Sequence, residues 1–365
     1  MNESPQYIEK VIINMLRDNT KVIKIGDRVI GGGNPILIQS MTNTKTEDVE
    51  STVKQILKLE EAGCEIIRCT VPNEDAAKAI REIKKQIHIP LVADIHFDHR
   101  LAIASIEAGI SKVRINPGNI GSEAKVRELV ACAKMHHVPI RIGVNGGSLD
   151  KELLNKYGVC AEALVESAAQ HVRLLEKEGF DDIVISLKAS SVPMMIKAYR
   201  LASRRFPYPL HLGVTEAGIG EDAILKSAIG IGSLLLDGIG DTVRVSVTGD
   251  VVQEVEAAKK ILAFSGVRSF GPELVSCPTC GRTRVDLPEI AERVRKALPS
   301  EGRPIRVAVM GCAVNGPGEA READIGIAFG SRNAVVFRHG EIVYSDLLPQ
   351  VIDRFIADAA ELAKA

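Results

Sequence analysis

A chain of 365 residues with 45% hydrophobic content can bury one large domain and a smaller one. Its net charge of −1 removes the electrostatic reason to expect nucleic acid or an anionic membrane as partner. Trp is absent and aromatics total 4%, which weighs against a base-stacking module; no apolar run nears the ~20 residues that span a bilayer. Seven cysteines, an odd number without a disulfide framework, fit a reducing cytoplasm, where thiols are structural, catalytic or metal-binding.

Along the chain, the first segment mixes Glu3, Glu9, Lys10, Arg17 and Asp18 with short apolar runs and lacks the hydrophobic core of a secretory signal. Residues 21–30 read as a hairpin turning at Gly26-Asp27, placed to plug the bottom of whatever follows. From Pro35 to Phe264 a β-rich run, a polar tip and an amphipathic helix recur eight times. The strand candidates are residues 36–40, 65–70, 91–96, 112–116, 140–144, 182–188, 210–215 and 242–247. Helical patterns follow, as at 49–62, 76–86, 123–135 and 161–178. This alternation predicts a TIM (β/α)8 barrel in the α/β class; the rival, a doubly wound open sheet, lacks its Gly-x-Gly-x-x-Gly turn. The rhythm then changes. Residues 265–272 read as a linker, and 273–365 as a small α+β domain with a helix at 287–297, strands at 305–310 and 324–328, and a closing helix at 348–364. The expected division is thus 1–34, 35–264, 265–272 and 273–365.

In such a barrel the C-terminal strand ends form the active-site face. Those ends carry Arg68, Asp94 and His96, Arg114 and Asn116, Arg141 and Asn145, Lys188, Thr215 and Glu216, and Arg244 and Ser246. Pairs two apart, such as Arg114/Asn116, share one side of a strand. Five cations from five strands therefore converge, which is costly unless an anion answers them. The planar guanidinium fork suits phosphate oxygens, so the ligand expected is a small phosphate or diphosphate. The bland alternative is a set of barrel ion pairs with Asp94 and Glu216. Asp94 and His96 suit either an acid–base role or an orienting hydrogen bond, and Glu216 divides the same way.

The small domain carries Cys277-Pro278-Thr279-Cys280 and, after an intervening helix, Gly311-Cys312 with Glu319 just beyond. Two thiols two residues apart can grip one metal from a single turn. The first pair alone is common in zinc ribbons. Three cysteines and a glutamate are unusual for structural zinc and suit an iron–sulfur cluster with one weakly held corner; for Glu319 the bland reading is a solvated residue after a Pro-Gly turn. Cys64, Cys69, Cys132 and Cys160 lie in strand or helix patterns and read as packing groups.

The runs Gln39-Ser40-Met41-Thr42-Asn43-Thr44, Ala93-Asp94-Ile95-His96-Phe97, Arg114-Ile115-Asn116-Pro117-Gly118-Asn119-Ile120-Gly121 and Arg141-Ile142-Gly143-Val144-Asn145 belong together. With Leu212-Gly213-Val214-Thr215-Glu216-Ala217-Gly218, Gly238-Ile239-Gly240-Asp241-Thr242, the Cys-Pro-Thr-Cys run and Asn315-Gly316-Pro317-Gly318-Glu319, they make this chain resemble the bacterial 4-hydroxy-3-methylbut-2-en-1-yl diphosphate synthases of non-mevalonate isoprenoid synthesis. The resemblance runs from about Thr20 to Glu319 and fits the two-domain form. It implies a 4Fe–4S cluster held by Cys277, Cys280, Cys312 and Glu319. It also implies the substrate 2-C-methyl-D-erythritol 2,4-cyclodiphosphate, held by Arg68, Arg114, Arg141, Lys188 and Arg244 with Asn145, Thr215 and Ser246 assisting. Glu319, as a displaceable ligand, and Glu216, His96 and Asp94 are the catalytic candidates.

Electrons are expected from ferredoxin or flavodoxin, since the chain has no nicotinamide fingerprint. Barrel helices run opposite to the strands, so the last one ends on the bottom face, and eight extended linker residues reach at most ~29 Å. A head-to-tail homodimer, which the resemblance also implies, avoids that detour. Two other readings remain: a non-redox phosphate-binding barrel with a structural zinc domain, and a zinc-ribbon adaptor in which the barrel cations have no role.

Overall fold

The computed structural model describes residues 16–312, 318 and 320–364. The chain divides after Arg268 into two compact units, each with its own core. In the first, a hairpin of β1 (Ile23–Ile25) and β2 (Arg28–Ile30) turns at Gly26-Asp27. It precedes eight parallel strands: β3 (Leu37–Met41), β4 (Ile66–Thr70), β5 (Leu91–Asp94), β6 (Lys112–Ile115), β7 (Ile140–Asn145), β8 (Ile183–Lys188), β9 (His211–Leu212) and β10 (Thr242–Val243). Their order is β8-β7-β6-β5-β4-β3-β10-β9, and a parallel bridge from Ile185 to Leu210, just ahead of β9, completes the ring. The chain forms the expected barrel.

Its helices start where short polar side chains satisfy the first free N–H groups. Asp48 accepts from Ser51 N–H at 3.1 Å ahead of Val49–Glu61, and Asn73 from Ala76 N–H at 2.8 Å ahead of Glu74–Lys84. Apolar stripes on these helices then bury against the strands: Val53, Ile56 and Leu59 on the first, Ala76, Ile80 and Ile83 on the second. A helix the periodicity did not separate, Lys151–Tyr157, precedes Ala161–Lys177. Among the described residues no helix is long and apolar enough to cross a membrane.

Because side chains alternate along a strand, the barrel interior is layered. At the bottom, Leu37, Ile66, Val92 and Val184 pack on Ile23, Ile25 and Ile30 of the hairpin, which closes that end with apolar surface. Two residues further along their strands lie Gln39 and Arg68, and the next interior layer is polar. Such layers are usually filled by Val, Ile and Leu. Here Lys112 is fully buried and reaches across the barrel to Gln39 Oε1 at 3.4 Å.

The end of the barrel unit differs from the linker read at 265–272. The turn after Val252–Phe264 continues to Arg268, whose guanidinium pairs with Glu65 Oε2 at 2.7 Å and bonds the Ile36 carbonyl. Glu65 and Ile36 precede β4 and β3, so Arg268 is fixed on the bottom face.

The second unit is a five-stranded mixed sheet: β11 (Glu273–Ser276), β12 (Arg306–Met310), β13 (Ile325–Phe329), β14 (Asn333–Arg338) and β15 (Glu341–Leu347), in chain order. The first three are parallel and the last two antiparallel to their neighbours. Helices Leu287–Ala297 and Gln350–Lys364 share a core with the sheet through Ile290, Val294, Phe355 and Ala359. The sequence reading lacked β11, β14 and β15. β11 is short and partly exposed, and β15 is exposed along nearly its whole length, so neither shows an in–out alternation. β14 did carry a signal: its apolar run meets His339-Gly340, whose φ values of 47° and 83° suit a tight two-residue hairpin.

Truncating the plug should loosen the whole barrel. Ile25→Ala, at a fully buried position, is expected to cost roughly 2–4 kcal/mol, read as a lowered urea midpoint with an unchanged slope.

Candidate active site

Five cations at the barrel mouth, with Lys112 in the layer beneath them, surround two buried carboxylates. Arg68 ends near Asp94, Nε to Oδ2 3.7 Å, and donates to Met41 Sδ at 2.7 Å. Arg114 donates to Asp94 Oδ1 at 3.0 Å. Arg244 makes a long contact of 3.4 Å with Glu254, a buried acid on helix Val252–Phe264. Arg141, Lys188 and Lys112 are buried and have no carboxylate within ion-pair distance among the described residues. Close fit enforces the cluster: a Cβ at Gly143 would lie 2.5 Å from Arg114 Nε, and one at Gly213 3.1 Å from Lys188 Nζ.

The electrostatic consequences follow from burial first and neighbours second. Burial pushes Arg141 and Lys188 well below their ordinary values, and the surrounding guanidinium groups push the same way. Lys112 is lowered likewise by burial, Arg141 and Arg68. Arg68 falls only to about 10, since Asp94 opposes its burial. For Asp94 itself burial works against the charge, but Arg68, Arg114 and Arg141 outweigh it and hold the carboxyl at about 2. His211, fully buried with Nδ1 2.8 Å from Thr242 Oγ1, is kept neutral by burial and by Arg141 and Lys188. Arg114 Nε, Arg141 Nε and Nη1, and Arg244 Nε are buried without hydrogen-bond partners. Donors this numerous, with too few acceptors, fit an anion of several oxygens.

The remaining predicted positions surround this cluster to different degrees. Asn145 is the half-buried last residue of β7, and Thr215 and Ser246 are half-buried in the segments following β9 and β10. His96 and Glu216 are exposed beyond the strand ends, His96 close enough to help hold Asp94 ionised. Glu216 adopts φ 53°, a left-handed conformation rare outside glycine and concentrated at functional sites. Asp94, already ionised between two guanidiniums, is unsuited to donating a proton near neutral pH; its geometry orients Arg68 and Arg114. Sequence reasoning missed Lys112 and Glu254. Lys112 was legible as the next period-two position below Arg114, whereas Glu254 sits in an ordinary helical pattern.

In the second unit, β11 and β12 pair in parallel, with Ser276 opposite Val309. Their ends feed Cys277 and Gly311-Cys312 at the same edge of the sheet. The Gly311 N–H donates to Cys277 Sγ at 3.2 Å. Thr283 Oγ1 accepts from Cys280 N–H at 3.1 Å, and Arg284 N–H donates to Gly311 O at 3.3 Å. Any side chain at 311 would meet Thr283 Oγ1 at 3.0 Å, so the two cysteine loops are knit together. All three thiols are free. Cys280 is lowered by hydrogen bonds from Arg282, chiefly its backbone N–H, which favours the thiolate that binds metal.

Glu319 lies outside the described residues. Among those described, no three His, Cys, Asp or Glu side chains close on one ion, yet a sulfur-rich set with N–H···S support is the chemistry an iron–sulfur cluster uses.

The chain matches the GcpE TIM-barrel domain over residues 20–259 and the GcpE protein C-terminal domain over 273–361. It belongs to the GcpE family. Within the family, a 4-hydroxy-3-methylbut-2-en-1-yl diphosphate synthase (flavodoxin) of Caldanaerobacter subterraneus subsp. tengcongensis is 61% identical over 90% of this chain and 92% of its own length. The protein of the same name from Geobacillus kaustophilus is 53% identical over 95% and 93%. Among solved structures, dihydropteroate synthase from Stenotrophomonas maltophilia superposes with a TM-score of 0.51 at 15% identity, covering 68% of this chain and all of that one; it shares the barrel fold. The two GcpE segments take in the mouth residues from Arg68 to Ser246 and Cys277, Cys280 and Cys312.

The Asp94 geometry has a defined pH signature. Its carboxyl is held at about 2 against an ordinary 3.8, so its contribution to stability is complete above the ordinary value and lost as pH falls through about 2. Asp94→Asn should therefore flatten the loss of stability below pH 4. At neutral pH it should cost roughly 3 kcal/mol by leaving Arg68 and Arg114 without a counter-charge. Denaturant titrations across pH check both.

Proposed function

We propose that this chain reduces 2-C-methyl-D-erythritol 2,4-cyclodiphosphate to 4-hydroxy-3-methylbut-2-en-1-yl diphosphate in the cytoplasm, with electrons from flavodoxin or ferredoxin passing through a 4Fe–4S cluster. The observation that carries this reading is the excess of buried cations at the barrel mouth, in a chain 61% identical to a synthase of that name. Two electrons and two protons enter, the ring C–O bond breaks with its oxygen staying on the diphosphate, and a hydroxyl leaves as water.

Arg141 and Lys188, which have no ion-pair partner among the described residues, bind the diphosphate most directly. Arg68 and Arg114, aligned by Asp94, and Arg244 add further guanidinium donors, with Asn145, Thr215 and Ser246 completing the hydrogen bonds. Burial and the neighbouring guanidiniums lower Lys188, and an entering anion acts in the opposite direction. His96 and Glu216, on the exposed rim, are the proton-transfer groups, because Asp94 is already ionised.

Cys277, Cys280, Cys312 and Glu319 would hold the cluster. Bound there, it supplies one-electron transfers and a Lewis-acidic iron. The N–H of Gly311 on Cys277 and the Thr283 contacts fix the two cysteine loops.

A head-to-tail homodimer, in which the cysteine unit of one copy serves the barrel mouth of a second, belongs to the same proposal. Arg268 is anchored on the bottom face of the barrel, opposite the cations, and four residues, 269–272, lie between it and β11.

Anaerobically prepared protein should contain iron and acid-labile sulfide, and with reduced flavodoxin should convert the cyclic diphosphate to the linear allylic one. Stoichiometric zinc without sulfide would instead favour the non-redox reading. Arg141→Met should abolish turnover while leaving iron and sulfide content unchanged.

Mixing Arg141→Met with Cys280→Ser subunits tests the dimer. About a quarter of sites in randomly reassorted dimers would then be complete by the symmetry of a two-fold pair, so partial activity should return. No recovery after subunit exchange would place the reaction within one chain.

A further inference from the structure

We propose that Glu254 is a positioning residue of the mouth, fixing Arg244 and the segment that carries Ser246 for the substrate's diphosphate. This rests on the diphosphate reading given above. Glu254 occupies the first turn of helix Val252–Phe264 and is 3% exposed. Oε2 accepts from Ser40 Oγ on β3 at 3.0 Å. Oε1 accepts from the Val247 N–H at 3.2 Å and makes the 3.4 Å contact with Arg244 Nη2. One carboxylate therefore ties two strand ends to a rigid helix.

The segment it grips needs such an anchor. β10 ends at Val243, and the Arg244 N–H makes the last ladder-like bond, to Leu212 O at 2.9 Å. The next bonds hold Val247 to Glu254 and Thr248 to Gly218 O. Ser246 lies between the two residues that Glu254 Oε1 contacts, so moving that oxygen moves Arg244 and Ser246 together. The Arg244 contact is long, and Nε on the same guanidinium has no partner. Glu254 thus steadies one edge of the group and leaves the other for a ligand. A buried negative charge beside an anion site weakens anion binding by simple Coulomb repulsion. If charge balance were its whole role, neutralising it would strengthen diphosphate binding; a positioning role gives the opposite sign.

The test is a double-mutant cycle on the anaerobic holoenzyme, read by calorimetric binding of the cyclic diphosphate and by KM against kcat. Glu254→Asp keeps the charge and withdraws the oxygens by one methylene. It should weaken binding about tenfold and raise KM more than it lowers kcat. Arg244→Met should weaken binding at least as much, and the double variant should be little worse than Arg244→Met alone. Glu254→Gln, which keeps the side-chain length, enters the same cycle and should also weaken binding. Its result decides the matter if the Asp variant does not fold. Wild-type affinity in Glu254→Asp, tighter binding in Glu254→Gln, or strict additivity with Arg244→Met would each overturn the inference. Failure of the wild-type protein to bind the cyclic diphosphate would instead remove the reading on which it rests.

Discussion

Buried positive charge is the constraint around which the barrel is arranged. Arg68, Arg114, Arg141, Lys188, Arg244 and Lys112 share one end of a closed sheet with two buried carboxylates, Asp94 and Glu254. Mutual repulsion and lost hydration both oppose such a cluster. It persists because strands fixed by ladder hydrogen bonds hold the side chains in place, and because Gly143 and Gly213 leave room for Arg114 and Lys188 to pack closely. An apolar plug at the other end seals the barrel, so the polar interior opens only toward the mouth. On the proposed reading, a multiply charged anion would offset this repulsion.

The carboxylates are placed to divide this charge. Asp94 takes Arg68 and Arg114 from the strands on either side of β5, while Glu254 reaches Arg244 from a helix. Arg141 and Lys188 receive neither. The distribution separates cations held by a carboxylate from cations without an ion-pair partner among the described residues, and it explains how a near-neutral chain presents a strongly basic barrel mouth.

The second unit solves a different problem, bringing together cysteines more than thirty positions apart. Parallel pairing of β11 with β12 sets Cys277 beside Gly311, and the Thr283 contacts lock the loop between them. Thiol spacing in the chain marked the motif, but the strand that aims the first thiol is too short and too exposed to leave a periodic trace. The same weakness hid β15. The hairpin turn at His339-Gly340, by contrast, leaves a mark in the sequence that local turn chemistry makes readable.

By itself, the sequence determined the barrel, the hairpin plug, most strand and helix positions, and the cations at the strand ends. All of these follow from local periodicity, which burial on one face imprints on the chain. The motif runs likewise carried the family. Tertiary structure alone decided which acids answer which cations, that Asp94 is held ionised rather than free to donate a proton, and that Arg268 ends the barrel unit on its bottom face. It alone brought in Lys112 and Glu254. Those outcomes depend on distances between residues far apart in the chain, where ion pairing and desolvation are set by packing geometry, and no local pattern encodes them.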